Sequence, residues 1–380
     1  MRFFHLSDLH IGKQLHYYSL KEDQEAVLAE IVEYARNLRP EAIVIAGDVY
    51  DKSVPSAEAV AVFDEFVRKL SELEIEILVI SGNHDSPERL EFASSLLEKQ
   101  HLHIAGLPPA GPEEYLKKVE MEDKFGKVVF WLLPFIKPAY IRGVFPEESL
   151  DSYTDAVKKL LDREKRDEDA RNVLVTHQFF TAAGQETVRS DSETVFVGGA
   201  GNVDISAIEG FEYAAMGHIH KSQSVGKAVF RYCGTPLKYS AGESKDTKTL
   251  TMVTLNEKGQ EPVIEELPLH PLRDVRQFRG TLENLLEMGC EDYVSLTITD
   301  EKMPYQPREK LERVFPYILE LNVDNARMKK QFLEIQEQTI SADPFSLFAK
   351  FYEEVQGREL DETERSIIEE IIEKAGEEKA

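Results

Sequence analysis

The chain of 380 residues has only two cysteines, Cys233 and Cys290, far apart and without a CxxC spacing. That excludes a disulfide framework and a zinc–thiolate centre, and both are expected to be small buried hydrophobes. No apolar run approaches the roughly 20 residues of a membrane span, so no membrane partner is expected. Met1 and Arg2 lead straight into a strand-like run, without a basic and apolar leader, and a cytoplasmic location is the expectation. A basic excess is missing as well: 45 Lys and Arg stand against 70 Asp and Glu, a formal charge of −25. This excludes a broad electrostatic hold on a polyanion. Such a substrate would need a local basic rim and bound cations, which are often the largest charges in a site. The one tryptophan, Trp131, lies in the strand-like run VVFWLLP and is expected in the core.

The remaining composition, 42% hydrophobic and 30% charged, suits a globular chain with room for two or three domains. Residues 1–268 alternate strand-like apolar runs with amphipathic stretches such as Glu22–Leu38 and Pro55–Leu70, the pattern of an α/β sandwich. A strand-turn-strand stretch from Phe230 to Leu255, punctuated by Gly234 and Gly242, closes that domain. Pro268, His270 and Pro271 mark a boundary. Beyond it, Asp274–Phe278, Thr281–Met288, Tyr293–Thr299, Pro307–Val314 and Tyr317–Val323 read strand, helix, strand, helix, strand, a small α+β domain over 269–324. A charged linker, 325–341, leads to a C-terminal helix-loop-helix in 342–380. Its first helix carries Phe345, Phe348, Tyr352 and Val355 at helical spacing behind an Asp343 N-cap and Pro344. After Gly357 its second carries Leu360, Ile367, Ile368, Ile371 and Ile372, with Thr363 expected to help cap it. Helices this short cannot bury such faces on each other alone.

Five segments combine a β-type apolar run with a metal-ligating ending: FFHLSDLH, AIVIAGDVYD, ILVISGNHD, NVLVTHQ and YAAMGHIH. They hold five of the ten histidines: His10, His84, His177, His218 and His220. Ligands at strand ends converge only if the strands lie side by side with those ends aligned, as at the carboxyl edge of an open α/β sheet. Asp8 and His10, as D-x-H, can reach one cation from a single turn. Asp48, with two oxygens, is the candidate to bridge two cations, and Gly47 before it allows the backbone to come close. Asn83 offers a neutral carbonyl oxygen, and His177, His218 and His220 complete the shells. Oxygen and imidazole without thiolate suit manganese, iron or zinc, with manganese expected for a hydrolase. One such fragment alone is weak, since a histidine after a strand is more often packed or solvated; five in this order point to a two-metal site.

The five blocks D-x-H, G-D, G-N-H-D, H and G-H-x-H resemble the pattern of the calcineurin-like metallophosphoesterases. The longer stretches HLSDLHIGK, GDVYDKSVPS, SGNHDSPERL, YAAMGHIHKSQ and YCGTPLKYS look like the SbcD / Mre-eleven branch of DNA double-strand-break repair nucleases. The resemblance covers 1–268 and continues more loosely to the C-terminus. It implies an α/β fold: a metallophosphoesterase β-sandwich flanked by helices, with a small α+β capping domain that binds DNA. It also implies two Mn2+ ions, other divalent metals being possible, one held by Asp8, His10, Asp48 and His220 and the other by Asp48, Asn83, His177 and His218. His84 then stays off the metals as the catalytic residue, stabilising developing charge or protonating the leaving oxygen, and Asp51 orients it, although some members carry histidine at that place. The implied activity is a manganese-dependent nuclease, a 3′-to-5′ double-strand exonuclease and single-strand endonuclease, acting on duplex ends, hairpins and single strands. The implied partner is an SbcC / Rad-fifty type ATPase, bound through the C-terminal helices.

Lys13, His16, Tyr17, Arg89 and Lys221 flank the ligand blocks and are candidates for DNA phosphate contact, with plain solvation as the alternative. Helices 57–70 and 88–98 carry apolar residues beyond one stripe, Val62 and Phe92 among them, which fits either a homodimer face, as the family uses, or internal packing. Two other functions compete. A phosphoprotein or small-phosphoester phosphatase uses the same dimetal core, but has no need of the extra domain and apolar tail. A DNA-end-binding scaffold has no need of an intact ligand set and His84.

Overall fold

A computed structural model describes residues 1–183, 187, 188, 190, 193, 201–324, 345, 348, 349, 352, 353 and 358–377. The first half contains β1 (Arg2–Leu6), α1 (Lys21–Leu38), β2 (Ala42–Ala46), α2 (Ala57–Ser71), β3 (Glu76–Ile80), β4 (Leu102–Ala105), β5 (Lys117–Asp123), β6 (Gly126–Leu133) and α3 (Tyr153–Asp162). There follow β7 (Arg171–Thr176), β8 (Tyr213–Met216), β9 (Gln223–Val225), β10 (Lys227–Tyr232), β11 (Thr249–Thr254) and β12 (Val263–Pro268). The last part holds β13 (Val275–Gly280), α4 (Leu282–Glu287), β14 (Tyr293–Ile298), α5 (Pro307–Leu311), β15 (Tyr317–Val323) and α6 (Glu362–Glu377). Two compact units result. One is Met1–Gln277 with Glu291–Ser295 and Phe315–Leu319; the other takes Phe278–Cys290, Leu296–Val314 and the chain from Glu320.

The first unit is an α/β sandwich of two six-stranded sheets, ordered β12-β11-β1-β2-β3-β4 and β9-β10-β8-β7-β6-β5. Strands β1 to β4 run parallel, as do β6, β7, β8 and β10. The two-residue period of a strand assigns the layers. In β2, Ala42, Val44 and Ala46 join Phe3, Phe130, Val175 and Tyr213 between the sheets. Ile43 and Ile45 face the other way, into the cluster with Val27, Ile31 of α1 and Phe63, Phe66 of α2. On the outer face of the second sheet, Trp131, Leu174 and Met216 pack with Val157 and Leu160 of α3. Burial on both faces is why these strands read as unbroken apolar runs. Phe3 stands edge-on to Phe130 and Tyr213, with ring centroids 5.4 and 5.6 Å away. Trp131 is a core residue, its Nε1–H donating to Asn172 at 2.9 Å. No helix of the described residues is long and apolar enough to cross a membrane.

Three local expectations are corrected. The helix expected over 88–98 is two short pieces, Pro87–Glu91 and Ser94–Leu97, because Ala93 takes a left-handed φ of 61° and Glu91 turns its carboxylate to the N–H of Gly106. The surplus apolar residues of the two expected helices split: Val62 of α2 is buried while Phe92 is 81% exposed. Cys233 is buried but Cys290 only half-buried. In the tail, Thr363 lies inside the first turn of α6, and the cap is Asp361: its carboxylate accepts from Glu364 N at 2.8 Å while Glu364 returns a bond to Asp361 N at 3.0 Å, a reciprocal capping box. Asp343, Pro344, Val355, Gly357 and the linker 325–341 lie outside the described residues.

In the sandwich, Arg171 of β7 is buried and forms a two-armed ion pair with Asp123 at the end of β5, one arm 3.2 Å long. Burial works against the Asp123 carboxylate, but Arg171 and the Met1 ammonium together outweigh it and hold the carboxyl well below its ordinary range. A depressed carboxylate contributes stability that is complete above its unfolded value, about 3.9, and lost as pH falls below it. Asp123→Asn is therefore expected to cost about 3–5 kcal/mol at pH 7, since Arg171 is left buried and unpaired. Urea unfolding should show the same deficit at pH 5 and a narrowing one below about pH 4.

Candidate metal centre

Each metal-type segment ends one of five parallel strands at its carboxyl end. Asp8 and His10 follow β1, Asp48 follows β2, Asn83 and His84 follow β3, His177 follows β7, and His218 and His220 follow β8. The first three strands neighbour one another in one sheet and the last two in the other, so the ligand loops rise from both sheets at one edge. Backbone bonds tie them pairwise: Asp8 N–H to Gly47 O at 2.9 Å, His10 N–H to Asp48 O at 3.0 Å, Gly217 N–H to Thr176 O at 2.9 Å. Between the sheets, His218 N–H donates to the Asp8 carboxylate at 3.0 Å and His177 Nδ1–H to Ala46 O at 2.7 Å.

Three clusters of ligand atoms lie within 4.8 Å of one another: Asp8, His10 and His220; Asp8, Asp48 and His177; His10, Asp48 and His84. The Asn83 carbonyl stands 3.2 Å from His177 Nε2 and 2.8 Å from His218 Nδ1. Asp48 Oδ2 lies 3.4 Å from His177 and 3.6 Å from His10. Asp8, His10, Asp48, His177, His218 and His220 are buried, whereas Asn83, His84 and Asp51 are half-buried. His84 Nδ1 donates to the backbone carbonyl of Asp51 at 3.0 Å. The Asp51 carboxylate itself goes elsewhere, to Lys13 at 2.7 Å and towards His10 at 3.6 Å. Asp51 thus meets His84 through its main chain.

The donor set fits divalent cations. Both ring nitrogens of His10 are buried without a hydrogen-bond partner among the described residues, at about 1–3 kcal/mol each, and a cation on the unprotonated nitrogen removes that cost at one of them. Burial also pushes the His10 imidazole down to about 3, and burial, with His10 and Lys248 adding, takes His220 well below its ordinary value; both rings are neutral, as ligands must be. Burial would lower His177 too, but Asp48 and Asp8 reverse this and raise it. Asp8 is raised by burial and by Asp48, while for Asp48 the His177, His10 and His84 rings outweigh burial and lower it. A buried imidazole made to keep a proton by two carboxylates marks a place where positive charge is favoured. Its Nδ1 bond to Ala46 O fixes the ring so that Nε2 faces the carboxylates, the usual outer support of a metal-bound histidine.

Two features of the centre escape sequence reasoning. Of ten non-glycine residues with positive φ among the described residues, four are Asp8, His10, Asp48 and His218, and strain of this kind gathers at functional sites. Asp85, the last residue of GNHD, accepts from the N–H groups of Val49, Tyr50 and Gly82 at 2.9–3.1 Å and so fastens the β2 loop to the β3 loop. The D of that motif was its only signal. Of the flanking residues, Lys13 is paired with Asp51 and Lys221 with Asp246; His16, Tyr17 and Arg89 are exposed.

A sequence model of the calcineurin-like phosphoesterase family matches residues 1–222. The chain belongs to that family. Residues 269–356 of this phosphoesterase match a second family, SbcD_C, described as the type 5 capsule protein repressor C-terminal domain. Similar curated proteins include the SbcD component of the SbcCD nuclease from Staphylococcus epidermidis and that from Staphylococcus saprophyticus, each 28% identical over 98% of both chains. A solved dimetal phosphatase from Danio rerio aligns with a TM-score of 0.38 at 12% identity, over 71% of this chain and 99% of its own.

Glycines set how closely the loops approach. A Cβ on Gly82 would lie 2.1 Å from Asp48 Oδ1 and 2.4 Å from its backbone N, and one on Gly47 2.4 Å from His177 Nδ1. Gly82→Ala is therefore expected to weaken divalent-cation binding by about 10–100-fold. Gly126→Ala, whose Cβ would meet nothing within 4 Å, serves as the control and costs only about 1 kcal/mol of stability. Calorimetric Mn2+ titration of both folded variants checks this.

Proposed function

We propose that this phosphoesterase is a manganese-dependent DNA nuclease, a 3′-to-5′ double-strand exonuclease and single-strand endonuclease that processes ends in double-strand-break repair. The carrying observation is that five strand-end blocks converge on one buried carboxylate–imidazole cluster in a chain that aligns end to end with SbcD components of SbcCD nucleases. A stand-alone phosphatase has no use for the part matching the second family, over 269–356.

In this reading Asp8, His10, Asp48 and His220 hold one Mn2+, and Asp48, Asn83, His177 and His218 the other. Bound cations supply an activated water and a clamp on the phosphodiester. His84 acts beside them. Its Nδ1–H is held by the Asp51 carbonyl, which fixes the ring and leaves Nε2 as the atom that meets the leaving oxygen. Residues 1–268 form the nuclease domain and 269–324 the DNA-binding cap. The segment 342–380 docks an SbcC / Rad-fifty type ATPase, where Ile367 and Ile371 are 52% and 56% exposed. The exposed Val60, Phe92 and Leu96 on α2 and the 87–97 segment are the homodimer face.

Purified protein with Mn2+ is expected to degrade duplex DNA ends faster than a generic aryl phosphate; the reverse order favours the phosphatase. His84→Ala should retain both cations by elemental analysis and lose cleavage by about 10²–10⁴-fold. Asp48→Ala should lose metal and activity together. Retention of both cations by the Asp48 variant rules out the bridge.

A further inference from the structure

The segment between β10 and β11 carries a charged cluster behind the metal centre. Lys248 is 7% exposed, and its ammonium donates to the carbonyl of His220 at 3.0 Å, the hydroxyl of Thr235 at 2.8 Å and the carboxylate of Glu243 at 2.7 Å. Three N–H donors meet three acceptors, which is what a buried ammonium requires. Glu243, 1% exposed, uses its other oxygen on the Ser240 hydroxyl at 3.0 Å and on Tyr239 N–H at 3.3 Å. Tyr239 in turn donates its buried hydroxyl to the carbonyl of Leu9 at 2.5 Å, the residue between Asp8 and His10. Its ring stands edge-on to His10 and His220, with centroids 5.4 and 5.8 Å away. On the other side, His220 N–H donates to Glu193 at 2.8 Å, so both main-chain groups of His220 are held.

A buried ammonium–carboxylate pair is rarely worth more to stability than an apolar pair of the same shape. This one is aimed at two loops that share one corner of the centre. We propose that Lys248, supported by Glu243 and assisted by Tyr239, is a positioning residue for the cation place made by Asp8, His10 and His220. Lys248 fixes the main chain at His220 and Tyr239 that at Leu9, so that the two imidazoles keep their aim on one point. The inference rests on the reading of those residues as metal ligands. Outer supports of this kind typically set metal affinity by about 10–100-fold.

The test titrates MnCl2 by calorimetry into the metal-free full chain, as wild type, Lys248→Met, Lys248→Met with Glu243→Gln, and Tyr239→Phe, with thermal unfolding of each alongside. The expected result is two binding events in the wild type. In the variants one is weakened about 10–100-fold and the other unchanged. A merely structural cluster would lower the melting temperature and leave both affinities of the folded protein intact, and that result overturns the proposal. If Lys248→Met alone does not fold because Glu243 is left unpaired, the double variant and Tyr239→Phe decide by the same criterion. A wild type that binds two Mn2+ but cuts no DNA sinks the nuclease reading and leaves this inference standing. Unaltered binding in the variants beside an active wild type sinks the inference alone.

Discussion

The centre depends on hydrogen bonds that cross between the sheets, among them His177 Nδ1–H to the carbonyl of Ala46 and His218 N–H to the carboxylate of Asp8. Each sheet supplies only part of a ligand set, three loops from one and two from the other, and apolar packing alone does not set their relative height. Side chains such as Phe3, Val44 and Val175 resist separation of the layers but have little preference for sliding by a fraction of an ångström. These crossing bonds are directional. They convert a greasy interface into a registered one, and they do so at the residues that must meet.

Much of the architecture was legible because its causes are local or periodic. Strands covered on both faces show as unbroken apolar runs, and α1 and α2 show as stripes. Strand, helix and strand after residue 274 were read to within a few residues, since nothing there competes with intrinsic preference. The ligand-bearing ends were legible too, because Asp, Asn and His after β-type runs are chemically conspicuous. What could not be read came from tertiary demands on the backbone. The left-handed conformations at Asp8, His10, Asp48 and His218 have only a weak signature in residue type, since Asp and His are enriched there but far from diagnostic. The break at Ala93 is dictated by Glu91 reaching across to Gly106, well beyond it in sequence. That Asp51 meets His84 through its main-chain carbonyl, its carboxylate being taken by Lys13, is likewise invisible in residue type.

Charge at the mouth of the centre follows the composition. A chain of net charge −25 has few spare cations, and the two lysines nearest the ligand blocks are already neutralised by Asp51 and Asp246. Attraction for a phosphoester would therefore come chiefly from cations held by the buried ligand set, with a range limited by screening to about 8 Å at physiological ionic strength. Recognition in such a site is short-ranged. The substrate has to arrive by other contacts before the centre can feel it.

All five ligand loops sit at the carboxyl ends of parallel strands, and none of the candidate ligands lies at the opposite end of the sandwich. β11 runs antiparallel to β1, pairing Thr254 with Arg2, so the turn between β11 and β12 lies at that quiet end. Gly259 within it has open space around its Cα, and the neighbouring residues 257–261 are exposed. For anyone wishing to attach a fluorophore, an affinity handle or a surface tether, this turn is the natural port: a full strand length from the ligand loops, it lets the molecule be watched or immobilised while its working edge stays free.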